Sequence, residues 1–353
     1  MSTSKQAAPW RRLFLSQVEN MASPEFTLST LRRAPAASSS PNVRRSSIYA
    51  APPLYLPRAR TCIFRGLWAN LPVNPKNDAP LNPAGVWESD LLTLTTDARM
   101  DKMEELWEDG LDLDLRVKNR FSDPSSPTTA KVGEELWEEG LAKVRREQRG
   151  EKTETETETA EKGKEGKKNK LKGSGGGAPV EAVFWPREAG VQWRVRGRAY
   201  VLAPDIESSV EGREVMMLLR ERMRKPALSK DDDRTAKGSE TEWSFAREIT
   251  AHFGNLSPMM RGSFRNPPPG RPVSQALEGE GLDLRLGQKV TDLEDPVARE
   301  NFRVVVIVPD EVDQTDLSNP EKARRWIHTY IGYGRGERHG KVQGEWETVE
   351  VWP

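Results

Sequence analysis

Two short stretches of the chain concentrate side chains that grip anions. RTCIFRG at 60–66 places Arg60 and Arg65 at either end of a strand-like run, and TTDARMDK at 95–102 supplies Thr95, Thr96, Arg99 and Lys102. Guanidinium, ammonium and hydroxyl donors are the types that converge on phosphate oxygens, and charge-assisted bonds of this kind are the strong ones. The second stretch reads as the end of a strand followed by a helix over 98–109. Asp97 takes its N-cap position, and Met100, Met103 and Leu106 form its apolar stripe. The charges of such a helix are reversed. Arg99 and Lys102 stand in the opening turns and Glu104, Glu105, Glu108 and Asp109 at the far end, against the macrodipole. An anion at the helix start, faced by both cations, would remove the conflict. Solvated surface residues are the plain alternative, and the residues alone leave the two readings about even.

A third candidate is Gln192, which opens the run VQWRVRGRAYVL at 191–202. There Trp193, Val195, Gly197, Ala199 and Val201 share one face and Gln192, Arg194, Arg196 and Arg198 the other. The amide can hydrogen-bond a polar ring edge, or simply belong to a solvent-facing stripe. Other chemistries find little support. His252, His328 and His339 are scattered without metal-ligand spacing. Cys62 sits mid-strand among apolar neighbours, as a buried structural thiol does. GYGRGERHGKVQG at 332–344 lacks the ending of a phosphate-binding loop.

The elements that must position these groups are mostly strands. Candidates are 26–31, 59–65, 90–96, 180–185, 191–202, 302–309 and 346–351, rich in β-branched and aromatic residues and bounded by Pro, Gly or Asp. EAGV at 188–191 joins two of them as a hairpin. Helices are expected over 9–20, 98–109, 212–224, 242–253, 256–264 and 320–330. Strands succeed one another without regular helical alternation, which predicts a mainly β, antiparallel sheet or barrel with peripheral helices. The chain reads as a single domain, 1–353, with a loop insertion at 33–57, another at 110–178 and a loop at 226–240. Within the second, 150–178 is nearly pure polar sequence and is expected to be disordered. EELWEDGLD (104–112) recurs once as EELWEEGLA (134–142), too seldom for a repeat fold.

The 353 residues carry 54 Lys+Arg against 54 Asp+Glu, so no basic field points to nucleic acid or an anionic membrane. No apolar run is long enough to span a bilayer. The one cysteine excludes an intrachain disulfide framework and suits a reducing compartment. A cytoplasmic protein is expected; the Arg- and Ser-rich, acid-poor opening leaves a mitochondrial one as the minority alternative.

In their order along the chain, RTCIFRG, LTLTTDARMDKMEEL, VEAVFWPREAGVQWRVRGRAY, LSPMMRGSFRNPPPG and the terminal Trp-to-Pro run resemble the pyridoxamine 5'-phosphate oxidase-like FMN-binding split barrels, type 2 branch. The resemblance covers most of 9–31, 58–109, 180–222 and 242–353. It implies an antiparallel split β-barrel that forms a homodimer, binds FMN between subunits and acts on a small-molecule substrate as an oxidoreductase. It also implies that Arg60, Thr96 and Lys102 hold the FMN phosphate, that Gln192 bonds the flavin ring, and that Arg65 faces cofactor or substrate phosphate. Met100 departs from the serine common there, and RRWIHTY at 324–330 does not reproduce the Arg-x-His of the pyridoxal-phosphate-forming oxidases.

Overall fold

The computed structural model describes residues 5–33, 55–107, 173–226, 242–274, 286–332 and 339–353. The helices are α1 (Arg11–Glu19), α2 (Lys102–Leu106), α3 (Val210–Arg222), α4 (Phe245–Gly254), α5 (Pro258–Gly262) and α6 (Pro296–Asn301). The strands are β1 (Glu25–Arg33), β2 (Tyr55–Ile63), β3 (Glu88–Ser89), β4 (Leu92–Asp97), β5 (Gly175–Phe184), β6 (Val191–Leu202), β7 (Met223–Arg224), β8 (Phe302–Asp316), β9 (Arg324–Tyr330), β10 (Lys341–Gln343) and β11 (Trp346–Val351).

Nine strands form one antiparallel sheet in the order β10-β11-β9-β8-β6-β5-β1-β2, with β4 also paired to β8. The strand β8 organises it. One of its edges faces β6 throughout, whereas the other pairs with β4 over 302–307 and with β9 over 311–316. The change of partner coincides with a β-bulge, where Arg196 opposes Glu311 and Gly197 opposes Pro309. Beyond β2 the backbone turns back to β4: Arg65 N donates to Thr93 O at 2.8 Å and Trp68 N to Leu91 O at 2.9 Å. β1, β2, β4, β8, β6 and β5 therefore curl around one core. The strand ladder itself stays open between β2 and β4, and β9, β11 and β10 splay away from β8. This is the antiparallel split β-barrel.

The long apolar run of β8 is explained by burial on both faces. Val305 and Ile307 enter the barrel core, while Val304, Val306 and Val308 enter a second core under α3 and α4. The barrel is plugged by α1, whose Trp10, Phe14 and Val18 recur every four residues and are all buried. Phe14 makes edge-to-face contacts with Phe184, Trp193 and Phe64 at 5.0, 5.6 and 5.7 Å. At the bulge, a Cβ on Gly197 would lie 2.0 Å from Val308 O, a backbone atom that cannot swing aside. Gly197→Ala should therefore lower stability by roughly 1–3 kcal/mol, read as a fall in the urea midpoint; an unchanged midpoint would show that the bulge can yield.

Several expectations are corrected. Residues 324–330 form strand β9 rather than the end of a helix; only Pro320–Lys322 makes a helical turn, of the tight 3-10 kind. PEKARRWIHTY has a helix-like start, but pairing with β8 on one side and β11 on the other decides its conformation. Residues 175–178, within the segment expected to be disordered, are the start of β5. Gly175, Gly176 and Gly177 all have positive φ, which lets the strand enter through a bulge opposite Ala199 and Tyr200. Arg33 and Tyr55 to Pro57, expected within the 33–57 loop, are paired strand residues, and 34–54 lie outside the described residues. Pro57 is tolerated there because β2 lies at the sheet edge. The other insertion residues, including Glu108, Asp109 and most of 226–240, lie outside the described residues. No helix among the described residues is long and apolar enough to cross a membrane.

Candidate functional site

At one mouth of the barrel, β1, β2, β4 and α2 bring together part of the expected anion-binding set. Arg60 pairs in register with Leu28, on the inward-facing side. Its guanidinium donates to Thr30 Oγ1 at 2.5 Å and forms an ion pair with the buried carboxylate of Glu105. Thr30 Oγ1 also donates to Glu105 Oε2 at 2.5 Å. Thr96 ends the inward row Leu92–Leu94–Thr96 of β4, and Lys102 Nζ donates to its hydroxyl at 2.9 Å. The remaining neighbour of Lys102 Nζ is Met100 Sδ at 3.2 Å, a weak acceptor.

Lys102 is thus a half-buried cation with no ion-pair partner among the described residues. Burial lowers its pKa; Cys62 acts to raise it, Arg60 to lower it, and Asp97 and Glu105 to raise it. Burial likewise raises the Cys62 thiol, against the opposing pull of Lys102 and Arg60. The cluster has a desolvated ammonium and a hydroxyl on one side and a neutralised guanidinium on the other. A phosphate beside Lys102 and Thr96 would restore the charge-assisted bonds that burial removes. The donor set therefore fits a phosphate group.

The reversed helix charge has a different resolution from the one the sequence suggested. The helix begins at Lys102, so Glu104 and Glu105 lie in its first turn, where carboxylates belong. Asp97 is not its N-cap but the last residue of β4. Its carboxylate accepts from the Arg99 backbone N–H at 2.8 Å and from the Arg99 guanidinium at 2.7 and 2.9 Å. Arg99 also donates to Phe264 O and Asn266 O, which makes it a clamp on the segment after α5. Thr95 faces away from the barrel core, opposite in alternation to Thr96.

Arg65 also leaves this cluster. It projects toward the second core, where its guanidinium meets Met260 Sδ at 3.9 Å and burial lowers its pKa. The next residue, Arg261, is buried over the Phe253 ring with its centroid 5.9 Å away, and it has no ion pair or hydrogen bond among the described residues. Arg65 and Arg261 thus lie on either side of Met260 without ion-pair partners among the described residues. Nothing in the local pattern around LSPMMRG distinguished Arg261 from a surface residue.

Gln192 stands apart in a way the register makes clear. Arg60, Leu28, Ala182 and Val195 form one row across four strands. Gln192 lies three residues beyond Val195, hence on the opposite face of the sheet. Its carbonyl accepts from Arg194 Nε at 2.8 Å, within an outward ionic stripe that includes Arg196, Glu181, Glu311, Asp313 and Arg325.

Near Arg65, His252 is fully buried and stacked on Trp68, ring centroids 5.8 Å apart. Desolvation first, and the Arg65 charge second, lower its pKa to about 3. A histidine kept neutral in the fold but free to protonate when unfolded costs stability as pH falls below its unfolded value of about 6.5, progressively until its folded pKa is reached. Stability should therefore decline between about pH 6.5 and pH 3, and His252→Phe should flatten that decline in urea titrations across the range. An identical slope in the variant would assign the acid sensitivity elsewhere.

Residues 7–122 match the family described as pyridoxamine 5'-phosphate oxidase, FMN-binding domain. That span contains Arg60, Arg65, Thr95, Thr96, Arg99 and Lys102, and stops short of Gln192. No curated protein matches the chain. Among solved structures, the chain is similar to a pyridoxamine 5'-phosphate oxidase-related, FMN binding protein from Nostoc punctiforme, at 15% identity over 99% of this chain and 100% of that one, with a TM-score of 0.45. The family match over residues 7–122 takes in the plug helix α1, strands β1 to β4 and the mouth that holds Arg60, Thr96 and Lys102, and over that span the chain is similar to the pyridoxamine 5'-phosphate oxidase FMN-binding domain.

Proposed function

We propose that this protein binds FMN and acts as an oxidoreductase on a small, anionic substrate, as a homodimer. The observation that carries the reading is Lys102: a half-buried ammonium at the barrel mouth, bonded to Thr96, near Arg60 and with no ion-pair partner among the described residues. Lys102 and Thr96 would hold the FMN phosphate, with Arg60 oriented by Glu105 and Thr30 to complete the pocket. When bound, FMN supplies hydride acceptance from a substrate carbon and re-oxidation by an external acceptor. The protein's part is to bind, orient and exclude water. Arg65, half-buried, and Arg261, buried, have no carboxylate partners among the described residues and would hold the anionic group of a substrate.

The position of Gln192 supports the dimer reading. It lies on the face of the sheet opposite Arg60 and three strands away, so one chain cannot present both to one flavin. If Gln192 bonds the ring, it does so on a flavin whose phosphate is held by a second copy. Light scattering should give the mass of a dimer for the flavin-loaded protein. A monomer that retains flavin would remove the shared-site arrangement, and Gln192 with it.

One observation favours a second reading. The fork of Arg60 is already occupied by Glu105 and Thr30, the arrangement of a self-sufficient structural ion pair. A cofactor-free binding or scaffold protein would keep it unchanged. The absorbance spectrum of the purified protein, after FMN is added and the excess dialysed away, separates the two. Retained flavin bands support the flavoprotein, and a colourless protein supports the scaffold.

A further inference from the structure

A second concavity, lined by none of the residues of the Lys102 cluster, lies over the splayed strands. Its floor is the face of β8, β9, β11 and β10 that continues the barrel interior, and α1 forms one wall. The register arranges the floor in rows. Lys341, Thr348, His328 and Val312 form one row, and Trp326, Gln314 and Trp193 the next. The cavity measures about 380 Å³, within the range of small-molecule sites.

Its polar groups are unsatisfied. Gln314 is 7% exposed, lines the cavity, and its carboxamide has no hydrogen-bond partner among the described residues. His328 is 5% exposed; its Nδ1 lies 2.9 Å from Thr348 Oγ1, while Nε2 has no partner. A buried imidazole nitrogen is ordinarily hydrogen-bonded, and the Gln314 carboxamide, open to the cavity, offers its donors and acceptor to whatever fills it. Two such groups side by side, one facing an open cavity, mark a place where a ligand supplies the missing partners.

The lining also selects the ligand. No carboxylate lines the cavity, and Lys341 at its rim is its one cation. Burial holds the His328 imidazole neutral, with its pKa down to about 4 and Asp313 pulling only weakly the other way. Leu13 of α1, exposed, and Trp326, one face of whose ring carries the Arg324 guanidinium 4.5 Å from the centroid, offer apolar surface. A carboxamide presents an acceptor beside donors, the complement of a heterocyclic edge that carries a donor beside an acceptor.

We propose that this groove binds a planar heteroaromatic molecule with an amide- or imide-like edge and one anionic substituent. The edge pairs with Gln314, the ring lies against Trp326, and the anionic group reaches Lys341. The site is separate from the Lys102 cluster and does not depend on that cluster holding FMN.

The probe is orotate, which combines an imide edge with a carboxylate. Uracil serves as the uncharged comparison and benzoate as the anion without the edge. Each is titrated by calorimetry into the full chain saturated with FMN. Orotate should bind saturably, more tightly than uracil and far more tightly than benzoate. Gln314→Leu, which replaces an unpaired buried amide by an apolar group and so spares the fold, should weaken orotate about tenfold or more. Lys341→Gln, at the exposed rim, should weaken orotate severalfold and leave uracil unchanged. The proposal is overturned if none of the three binds at about 1 mM, if benzoate equals orotate, or if Gln314→Leu binds as the parent does. It is also overturned if orotate binds FMN-free protein and is displaced by FMN, because the groove would then be the flavin pocket. Failure of flavin retention with orotate binding intact would reject the FMN reading and leave this one standing.

Discussion

Lys102→Met should reduce FMN affinity by roughly ten- to a hundredfold, with the fold left intact. The expectation comes from the state of this ammonium in the structure. It is half-buried, bonded to one hydroxyl and one thioether, and lacks an ion pair among the described residues. Its removal leaves no buried carboxylate stranded, and methionine matches the length of the stem. The loss should therefore appear in binding, where a charge-assisted bond to phosphate contributes about 1.5–3 kcal/mol. Arg60 is the less informative position. Removing it would strand Glu105, whose side chain is 2% exposed, and so mix a folding defect with a binding one. Titration of FMN by quenching of its fluorescence measures the effect, and urea unfolding of the same variant checks the fold. Parent-like affinity in a folded Lys102→Met variant would move the phosphate away from this mouth. A parallel drop in the unfolding midpoint would show that the ammonium is structural.

Arg224→Met should destabilise the protein by about 3–5 kcal/mol. The guanidinium of Arg224 is 5% exposed and holds three carboxylate oxygens. It reaches Asp90 at 2.6 and 2.9 Å and Glu88 at 2.6 Å. Burial works against its charge, but the hydrogen bonds and fields of Asp90 and Glu88 outweigh it and raise its pKa. The same carboxylates receive Arg11 from α1, and Asp90 also accepts from the Ala8 backbone N–H at 2.9 Å. One cluster thus ties β7, the approach to β4 and the entry of the barrel plug. Methionine would leave Asp90 and Glu88 facing each other in a desolvated site, with the exposed edge of Arg11 as their remaining cation. Because α1 carries Phe14 into the centre of the barrel core, the loss should appear as a lower melting temperature and as faster hydrogen exchange in α1. A variant that melts with the parent would mean that water reaches the cluster. A double change, Arg224→Met with Asp90→Asn, should recover part of the stability by removing the stranded charge.

Much of the frame was legible in the sequence because it depends on local alternation. The strands 191–202 and 346–351 begin and end where turn residues and side-chain alternation place them. The Arg60–Thr96–Lys102 grouping was legible too, since an antiparallel return from one strand-end to the next brings those positions to one mouth. Strand β9 was not legible. Trp326, Ile327, Thr329 and Tyr330 favour strands, but the helix-like start PEKA masked them, and the pairing that decides the conformation is with strands β8 and β11. The bulge opposite Gly197 was hidden for the same reason: one strand cannot show how many residues its partner inserts. The boundary of α2 mattered most for the chemistry. Starting that helix at 98 made its charges look reversed, whereas starting it at Lys102 turns Glu105 into the carboxylate that holds Arg60.

The amino-acid sequence by itself determined which residues could be strands, which face of each strand is apolar, and which cations are candidates to face an anion. Tertiary structure alone decided their partners and their sides. The row from Arg60 to Val195 is defined by pairing across four strands, and only that row places Gln192 on the far face. The burial that perturbs Lys102, isolates Arg261 and leaves Gln314 without a partner arises where distant segments close over one another. Desolvation is a property of that enclosure, which no single stretch of chain contains.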